Sequence, residues 1–353
     1  MIPSSSEIRR IKRIAIHVLR ASVAVCLLGA CSPVVMPAGP PTSTPNLHDD
    51  VIVARDGAAL PLRRFLPEHA AQAVLLALHG FNDHAGNFLL DSLPSLRSGG
   101  LLIYAYDQRG FGRAPNRGYW AGANTLADDA AEAARLLRRR YTDLPIFILG
   151  ESMGAAVAIL AATGPQPPPV DGYILVAPAL WSRDAMPPLM RGGLWLAART
   201  IPMLGFQGGV SGVVASDNPE ALQRLGRDPL TLRSTRVDAA VGLVDLMDGA
   251  VAALPRCCHD AAGTRQPTLM LVGAQDMIVP ARATREALRN LHQEARPRVA
   301  VYPDGFHLLL AGGNRETVAR DILAFIAAPA GPLPSGADAN LQPWIEGRLN
   351  PGS

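Results

Sequence analysis

Long apolar runs are scarce in this 353-residue chain. The most continuous stretch near the N-terminus, Ala21 to Ala30, is far shorter than the ~20 residues a membrane-spanning helix needs. Cysteine is also sparse, with four in all, and neither a disulfide framework nor zinc-finger spacing can be drawn from them. Cys257 and Cys258 are adjacent, a placement that disfavours a bridge between them because their Cα atoms sit too close for relaxed disulfide geometry. Lysine occurs once, at Lys12. No G-x-G-x-x-G follows any predicted strand, so nucleotide binding has no support. His79, Asp83 and His84 do not match H-E-x-x-H or other zinc patterns, and neither a metal nor a cofactor is expected. The formal charge of +3 is misleading. Residues 1–30 carry five basic residues and one acidic residue, and removing them leaves 28 basic against 29 acidic. A basic bias toward nucleic acid is therefore absent.

What is present begins with an export signal: a basic region to Arg20, an apolar run, then Leu28-Gly-Ala-Cys-Ser32. This ending resembles a bacterial lipoprotein signal. The resemblance implies that residues 1–30 are removed, that Cys31 is diacylated, and that the protein is anchored in the cell envelope. Ser32 after the cysteine points to the outer membrane, on its periplasmic face. An ordinary cleaved signal is the alternative. Residues 31–47 are rich in Pro, Ser and Thr and read as an extended tether without a core.

Hydrophobic residues make up 48% of the chain and charged residues 18%, enough for a sizeable core. Asp50 to Gly57 and Leu60 to Phe65 read as a hairpin with an Asp-Gly turn. Apolar runs at 73–78, 100–106, 145–149, 172–177, 267–272 and 298–302 read as buried strands, most of them followed by a helical pattern. Such alternation implies a mostly parallel sheet covered by helices on both faces. It is interrupted between about 181 and 264, where apolar residues recur at helical spacing and no buried strand is visible. This reads as a helical cap between two parts of one core, 48–180 and 265–329. Residues 330–353, rich in Pro, Gly and Asn, read as a loose tail. No internal repeat is visible.

Pro145-Ile-Phe-Ile-Leu-Gly-Glu-Ser-Met-Gly154 is the organising stretch. A buried strand runs into G-x-S-x-G, and the Ala-rich helix from Ala155 follows. On such a strand-to-helix turn Ser152 projects at the sheet's C-terminal edge, and the Met153 N–H sits at a helix N-terminus. The pattern demands an acid and then a histidine, each after a later strand. Gly273-Ala-Gln-Asp276 and Pro303-Asp-Gly-Phe-His307 meet that demand. The chemistry needs these types. His307 removes the Ser152 proton and later returns it, and Asp276 holds the imidazole tautomer. Asp304 is the alternative acid, but lies three residues before His307 on the same loop. The N–H of Phe81, after His79-Gly80, is the expected second oxyanion donor beside that of Met153.

His79-Gly-Phe-Asn-Asp-His84, Asp107-Gln-Arg-Gly-Phe-Gly112, Gly150-Glu-Ser-Met-Gly154, Gly273-Ala-Gln-Asp276 and Phe306-His307 together resemble the α/β-hydrolase superfamily. The narrower resemblance is to its monoacylglycerol lipase/lysophospholipase group, the serine aminopeptidase S33 type. Position 82 is Asn where that group often has a small residue, and position 83 is Asp where Glu is common. The resemblance implies an α/β-hydrolase fold with a helical cap after the sixth strand, and hydrolysis of a small lipid ester. Monoacylglycerols or lysophospholipids are the implied substrates. Trp181, Leu194, Trp195 and Phe206, with Leu196 and Met203, are candidates to line an acyl channel or to form the cap's own core. A peptidase or amidase on the same triad and a non-catalytic binding lipoprotein are the rival readings. Oligomeric state is not legible.

Overall fold

A computed structural model of the chain describes residues 32–207 and 212–349. The leader and Cys31 lie outside the described residues. Nine strands form one sheet: β1 (Asn46–Leu47), β2 (Val51–Val53), β3 (Ala59–Phe65), β4 (Ala73–Leu78), β5 (Leu101–Tyr106), β6 (Ile146–Glu151), β7 (Gly172–Val176), β10 (Thr268–Gly273) and β11 (Arg298–Tyr302). Their spatial order is β1-β2-β3-β5-β4-β6-β7-β10-β11. The pairs from β1 to β5 in that order are antiparallel, and all later pairs are parallel. The fold is that of an α/β-hydrolase. The cap follows the sixth strand read from the sequence, which is β7 because the two-residue β1 precedes the hairpin.

Strands β4 to β7 and β10 are buried on every residue. Side chains alternate between faces. Val74, Leu76 and Leu78 join the core under α2 (Ala123–Arg140) and α3 (Met153–Thr163). Ala73, Leu75 and Ala77 join the core under α1 (Leu93–Ser98) and α8 (Arg315–Ala327). The Ala-rich α3 suits its place: it is buried on nearly all sides, and small side chains let it lie close to the sheet.

Between β7 and β10 the chain forms α4 (Pro188–Thr200), α5 (Pro219–Arg227) and α6 (Val237–Ala253). The sequence suggested no strand here, yet β8 (Gly205–Gln207) and β9 (Ser234–Arg236) pair as a short antiparallel ribbon. Its first strand is exposed on every residue, so it lacks the apolar run that marks a buried strand. Helix α6 packs on α3 and buries Leu246 and Ala250 in the main core. Among the described residues no helix is long and apolar enough to cross a membrane.

Three expectations need correction. Residues 32–47 are extended but not free. Val35 bridges Trp120, the Met36 N–H donates to the Trp120 carbonyl at 2.8 Å, and the Val34 N–H donates to Asp238 Oδ2 at 3.2 Å. Extended backbone has unpaired donors, and the loop at Trp120 offers acceptors. The tail is not loose as far as Leu349. A turn of 3-10 helix at Ala337–Asn340 leads into α9 (Leu341–Ile345), Trp344 is fully buried, and Asp338 pairs with Arg298 of β11 at 2.5 Å. Two apolar residues in a Pro- and Gly-rich stretch suffice to dock it over the end strand. Finally, Cys257 and Cys258 are bridged, with Cα atoms 3.7 Å apart and Cys258 at φ 72°. The left-handed backbone there lets neighbouring side chains turn toward each other.

Candidate active site

Strand β6 ends at Glu151 and α3 begins at Met153, so the whole turn falls on Ser152. Its φ of 53° is a conformation that L residues rarely adopt. The surroundings hold it. The Ser152 N–H donates to the Val176 carbonyl at 2.8 Å, and its own carbonyl accepts from Ala155, Ala156 and Ala179. The two glycines are required by space. A Cβ at Gly150 would lie 2.3 Å from the Gly154 carbonyl oxygen, and one at Gly154 would lie 2.1 Å from that of Leu78.

His307 sits in the loop after β11, and Asp276 in the loop after β10. Parallel pairing of these strands brings Gly273 opposite Tyr302, and a Cβ at Gly273 would strike the Gly305 carbonyl at 2.3 Å. The two loops therefore touch. His307 Nδ1–H donates to Asp276 Oδ2 at 2.7 Å, with both side chains almost fully buried. Asp276 Oδ1 is occupied by the N–H groups of Ile278 and Val279 at 2.8 and 2.9 Å. With Nδ1 donating, Nε2 is left as the basic nitrogen. Asp304 is exposed, and the imidazole bond goes to Asp276.

Ser152 and His307 line one cavity of about 1070 Å³, walled by the loop after β4, by α4 to α6 and by the loop after β10. Its volume is at the upper end of the ~300–1,000 Å³ usual for small-molecule sites, and its wall is mainly apolar. Gly80 lies against the serine, since a Cβ there would be 3.6 Å from that of Ser152. Among the described residues neither the Phe81 N–H nor the Met153 N–H has an acceptor in the protein. Two amides near a serine are thus left without a partner in the protein.

Two motifs from the sequence, at 79–84 and 107–112, turn out to be structural. His79 Nε2 accepts the Gln108 N–H at 3.0 Å, and Nδ1–H donates to the Gly80 carbonyl at 2.8 Å. Burial pushes the His79 pKa down to about 4, so the ring is neutral. Asp107 accepts from the N–H groups of Ala85 and Arg113 at 2.9 and 2.8 Å. Arg109 is buried between Asp56 and Asp129 and donates to both at 2.6 Å. Among the described residues no three His, Cys, Asp or Glu side chains gather as a metal site. His84 Nδ1 accepts from the Gly86 N–H, and Nε2–H donates to Asp228 of the cap at 2.9 Å.

Trp181, Leu194 and Phe206 line the cavity as the acyl-channel candidates would. Trp195 does not: it is 57% exposed on the other side of α4, with the Arg199 guanidinium 4.2 Å above its ring. Leu196 and Met203 are also exposed. Helical spacing reveals that α4 has an apolar face, but α4 is apolar on more than one side, so the inner one was not legible. Sequence reasoning missed Met190, Leu222, Leu243, Met247 and Ile278 on the wall. It also missed two buried carboxyls there. Burial drives the Glu151 pKa well above its ordinary value, with the Asp83 charge adding to it, and Glu151 Oε1 has no partner. Burial pushes Asp83 up to about 6, against hydrogen bonds from Asn87 and the His84 N–H.

Comparison with known proteins identifies the family. The family model for serine aminopeptidase, S33, matches residues 69–313. The monoglyceride lipase of Homo sapiens is 25% identical over 276 residues, covering 76% of this chain and 86% of that protein. The monoacylglycerol lipase of Mycolicibacterium smegmatis is 22% identical over 263 residues, covering 74% and 90%. Among solved structures, a soluble variant of monoglyceride lipase from Saccharomyces cerevisiae superposes with a TM-score of 0.64 at 18% identity, over 81% of this chain and 95% of that one. The chain belongs to the serine aminopeptidase S33 family and is a monoacylglycerol lipase-like α/β-hydrolase, a serine ester hydrolase.

Proposed function

We propose that the protein hydrolyses single-chain lipid esters of the monoacylglycerol or lysophospholipid type through an acyl-enzyme. The observation that carries this reading is one large apolar cavity lined by Ser152, His307 and Phe81, with Asp276 bonded to that histidine and the Phe81 and Met153 N–H groups unpaired. In this mechanism Ser152 Oγ attacks the ester carbon while His307 Nε2 takes its proton. The oxyanion is held by the N–H groups of Phe81 and Met153. The carbon–oxygen bond to the alcohol breaks, and His307 returns the proton to the leaving oxygen. Water then attacks the acyl-Ser152, giving its proton to His307; the acyl carbon–Oγ bond breaks, His307 returns the proton to Ser152 Oγ, and the fatty acid leaves. Asp276 keeps the Nδ1–H tautomer and stabilises the imidazolium. The acyl chain occupies the apolar wall formed by Trp181, Leu194, Phe206 and the side chains of α6.

The test is hydrolysis of p-nitrophenyl esters from C2 to C16 and of 1-monoacylglycerols, beside Ser152→Ala. Activity peaking at medium or long chains, and falling by roughly 10⁴-fold or more in the variant, is the expected result. Full activity of Ser152→Ala would refute the mechanism. One observation favours a second reading: Asp83 and Glu151 line the cavity and offer carboxyls to a free amine. Aminoacyl p-nitroanilides decide between the two, since an aminopeptidase would cleave them with turnover that is lost in Ser152→Ala, whereas a lipid esterase would leave them intact.

The proposal also places the protein on the periplasmic face of a bacterial outer membrane, held by a diacylated Cys31. Support comes from the leader and the cysteine context in the sequence.

A further inference from the structure

A second cavity, of about 520 Å³, lies on the outer side of α4. Its volume is within the ~300–1,000 Å³ usual for small-molecule sites, and the proposed mechanism does not use it. Met186 and Leu194 front both this cavity and the catalytic one. Where α4 divides them, Gly192 lines the outer cavity and Gly193 the inner one, so the partition carries no side chain there. A Cβ at either glycine would meet nothing within 4 Å, so packing does not demand them, although glycine weakens a helix interior. The apolar wall of the outer cavity comes from Met186, Leu194 and Ala198, with Val241 of α6. Arg191, Trp195 and Arg199 follow at intervals of four on α4, so they share one face, and all three are exposed at the mouth. A further arginine of this cavity, Arg183, is neutralised by Asp245 and Asp248 of α6. The other two are not. Arg191 reaches Asp184 at 4.0 Å, and that carboxylate is itself 99% exposed. Among the described residues Arg199 pairs with no carboxylate. Its guanidinium lies 4.2 Å above the Trp195 ring, and its Nη1 is 3.5 Å from the Trp195 carbonyl.

An apolar pocket with two poorly neutralised guanidinium groups at its mouth fits an anion carried on an apolar body. Arginine grips a carboxylate through paired N–H groups. We propose that this pocket binds the fatty-acid carboxylate that ester hydrolysis releases. Arg191 and Arg199 hold the carboxylate, and the first methylenes lie against Met186, Leu194, Ala198 and Val241. The proposal rests on the lipid-ester hydrolase reading and adds a site for its product. Charge separates that product from the substrate: the ester is neutral around its carbonyl, and the acid it yields is an anion. In the catalytic cavity the anion meets a mainly apolar wall with the buried carboxyls of Asp83 and Glu151, where an unpaired charge is costly. Among the described residues of that wall the arginine is Arg233, which is exposed. The outer pocket offers the anion water and two cations. Because Met186 and Leu194 front both cavities, an occupied outer pocket presses on the acyl wall and slows turnover as product accumulates.

The experiment titrates sodium decanoate into the full chain carrying Ser152→Ala, and into the same chain with Arg191→Met and Arg199→Met added. Calorimetry is expected to show about tenfold weaker decanoate binding once both arginines are gone. Methyl decanoate, which has no charge, should bind both chains equally. Equal decanoate affinity in the two would place the acid in the catalytic cavity and overturn the proposal. Inorganic phosphate at the same concentration should displace no decanoate; displacement would mark a site for bare anions and overturn the assignment to a fatty acid. Kinetics give a second readout. With Ser152 in place, decanoate is expected to lower kcat as well as raise KM on p-nitrophenyl butyrate. The double arginine variant should keep its uninhibited rate, which shows that it folds, and lose the effect on kcat. Purely competitive inhibition, unchanged in that variant, would overturn the proposal. If the parent chain cleaves no ester, the hydrolase reading fails instead, and a decanoate affinity that depends on the two arginines keeps the pocket as a carboxylate site.

Discussion

Asp276 divides its carboxylate between two duties, one oxygen held by its own turn and the other by His307. Asp276→Asn keeps the shape but presents an NH₂ or a neutral oxygen to Nδ1. A drop of roughly 10⁴-fold in kcat with little change in KM is expected for ester substrates. The place of this residue, like those of Ser152 and His307, was legible because each follows a strand, and strands announce themselves as apolar runs. Glu151 was legible only as the variable position of a motif. Its burial arises from β7 and the loop after β4, which meet it from elsewhere in the chain. As a buried carboxyl kept neutral, it binds a proton in the folded state that the unfolded chain releases above its ordinary pKa. Stability therefore falls as pH rises past about 4.3. Asp83 adds the same trend up to about 6. Glu151→Gln should melt like the parent near pH 4 and several degrees higher at pH 8, measured by calorimetry at both. Equal melting at pH 8 would mean that the carboxyl is ionised in the fold.

The cap is fastened at two loops of the site. Asn82 Nδ2 donates to Thr235 Oγ1 at 2.7 Å, His84 pairs with Asp228, and Arg224 of α5 pairs with Asp91. On the other side the Leu308 N–H donates to the Ala215 carbonyl at 2.9 Å, and Asn218 Nδ2 to that of Ala311. The histidine loop and the oxyanion loop are thus joined through one set of helices. Arg224→Met combined with Asp228→Asn should loosen the acyl wall while leaving the reacting groups in place. Such a variant is expected to lose about threefold to fivefold in kcat/KM on C12 esters, the worth of about 1 kcal/mol of ion pairing. C4 esters should be unaffected, and an equal loss on both would place the defect in catalysis instead. The helices of this region were legible by period, whereas the β8–β9 ribbon was not. Three residues per strand, with β8 wholly exposed, carry no apolar signature, and pairing across 26 residues of intervening chain leaves no turn motif to read.

At the scale of the whole molecule, the first and last described segments work as clamps, and neither was legible. Composition marked them as loose, but docking depends on single residues such as Trp344 and on bonds made by backbone that has no signature. Trp344→Ala empties a buried site and should cost about 3–5 kcal/mol, lowering Tm by ~10 °C for a domain of this size. Unchanged thermal melting would show that α9 rides on the surface without holding it. The N-terminal clamp has a consequence in time. Val34 bonds to Asp238, 204 residues later. Synthesis from the N-terminus delivers one partner of that bond long before the other. Closing so wide a loop is slow. The Val34 segment should be among the last parts to settle, so its docking registers whether the rest of the chain has folded.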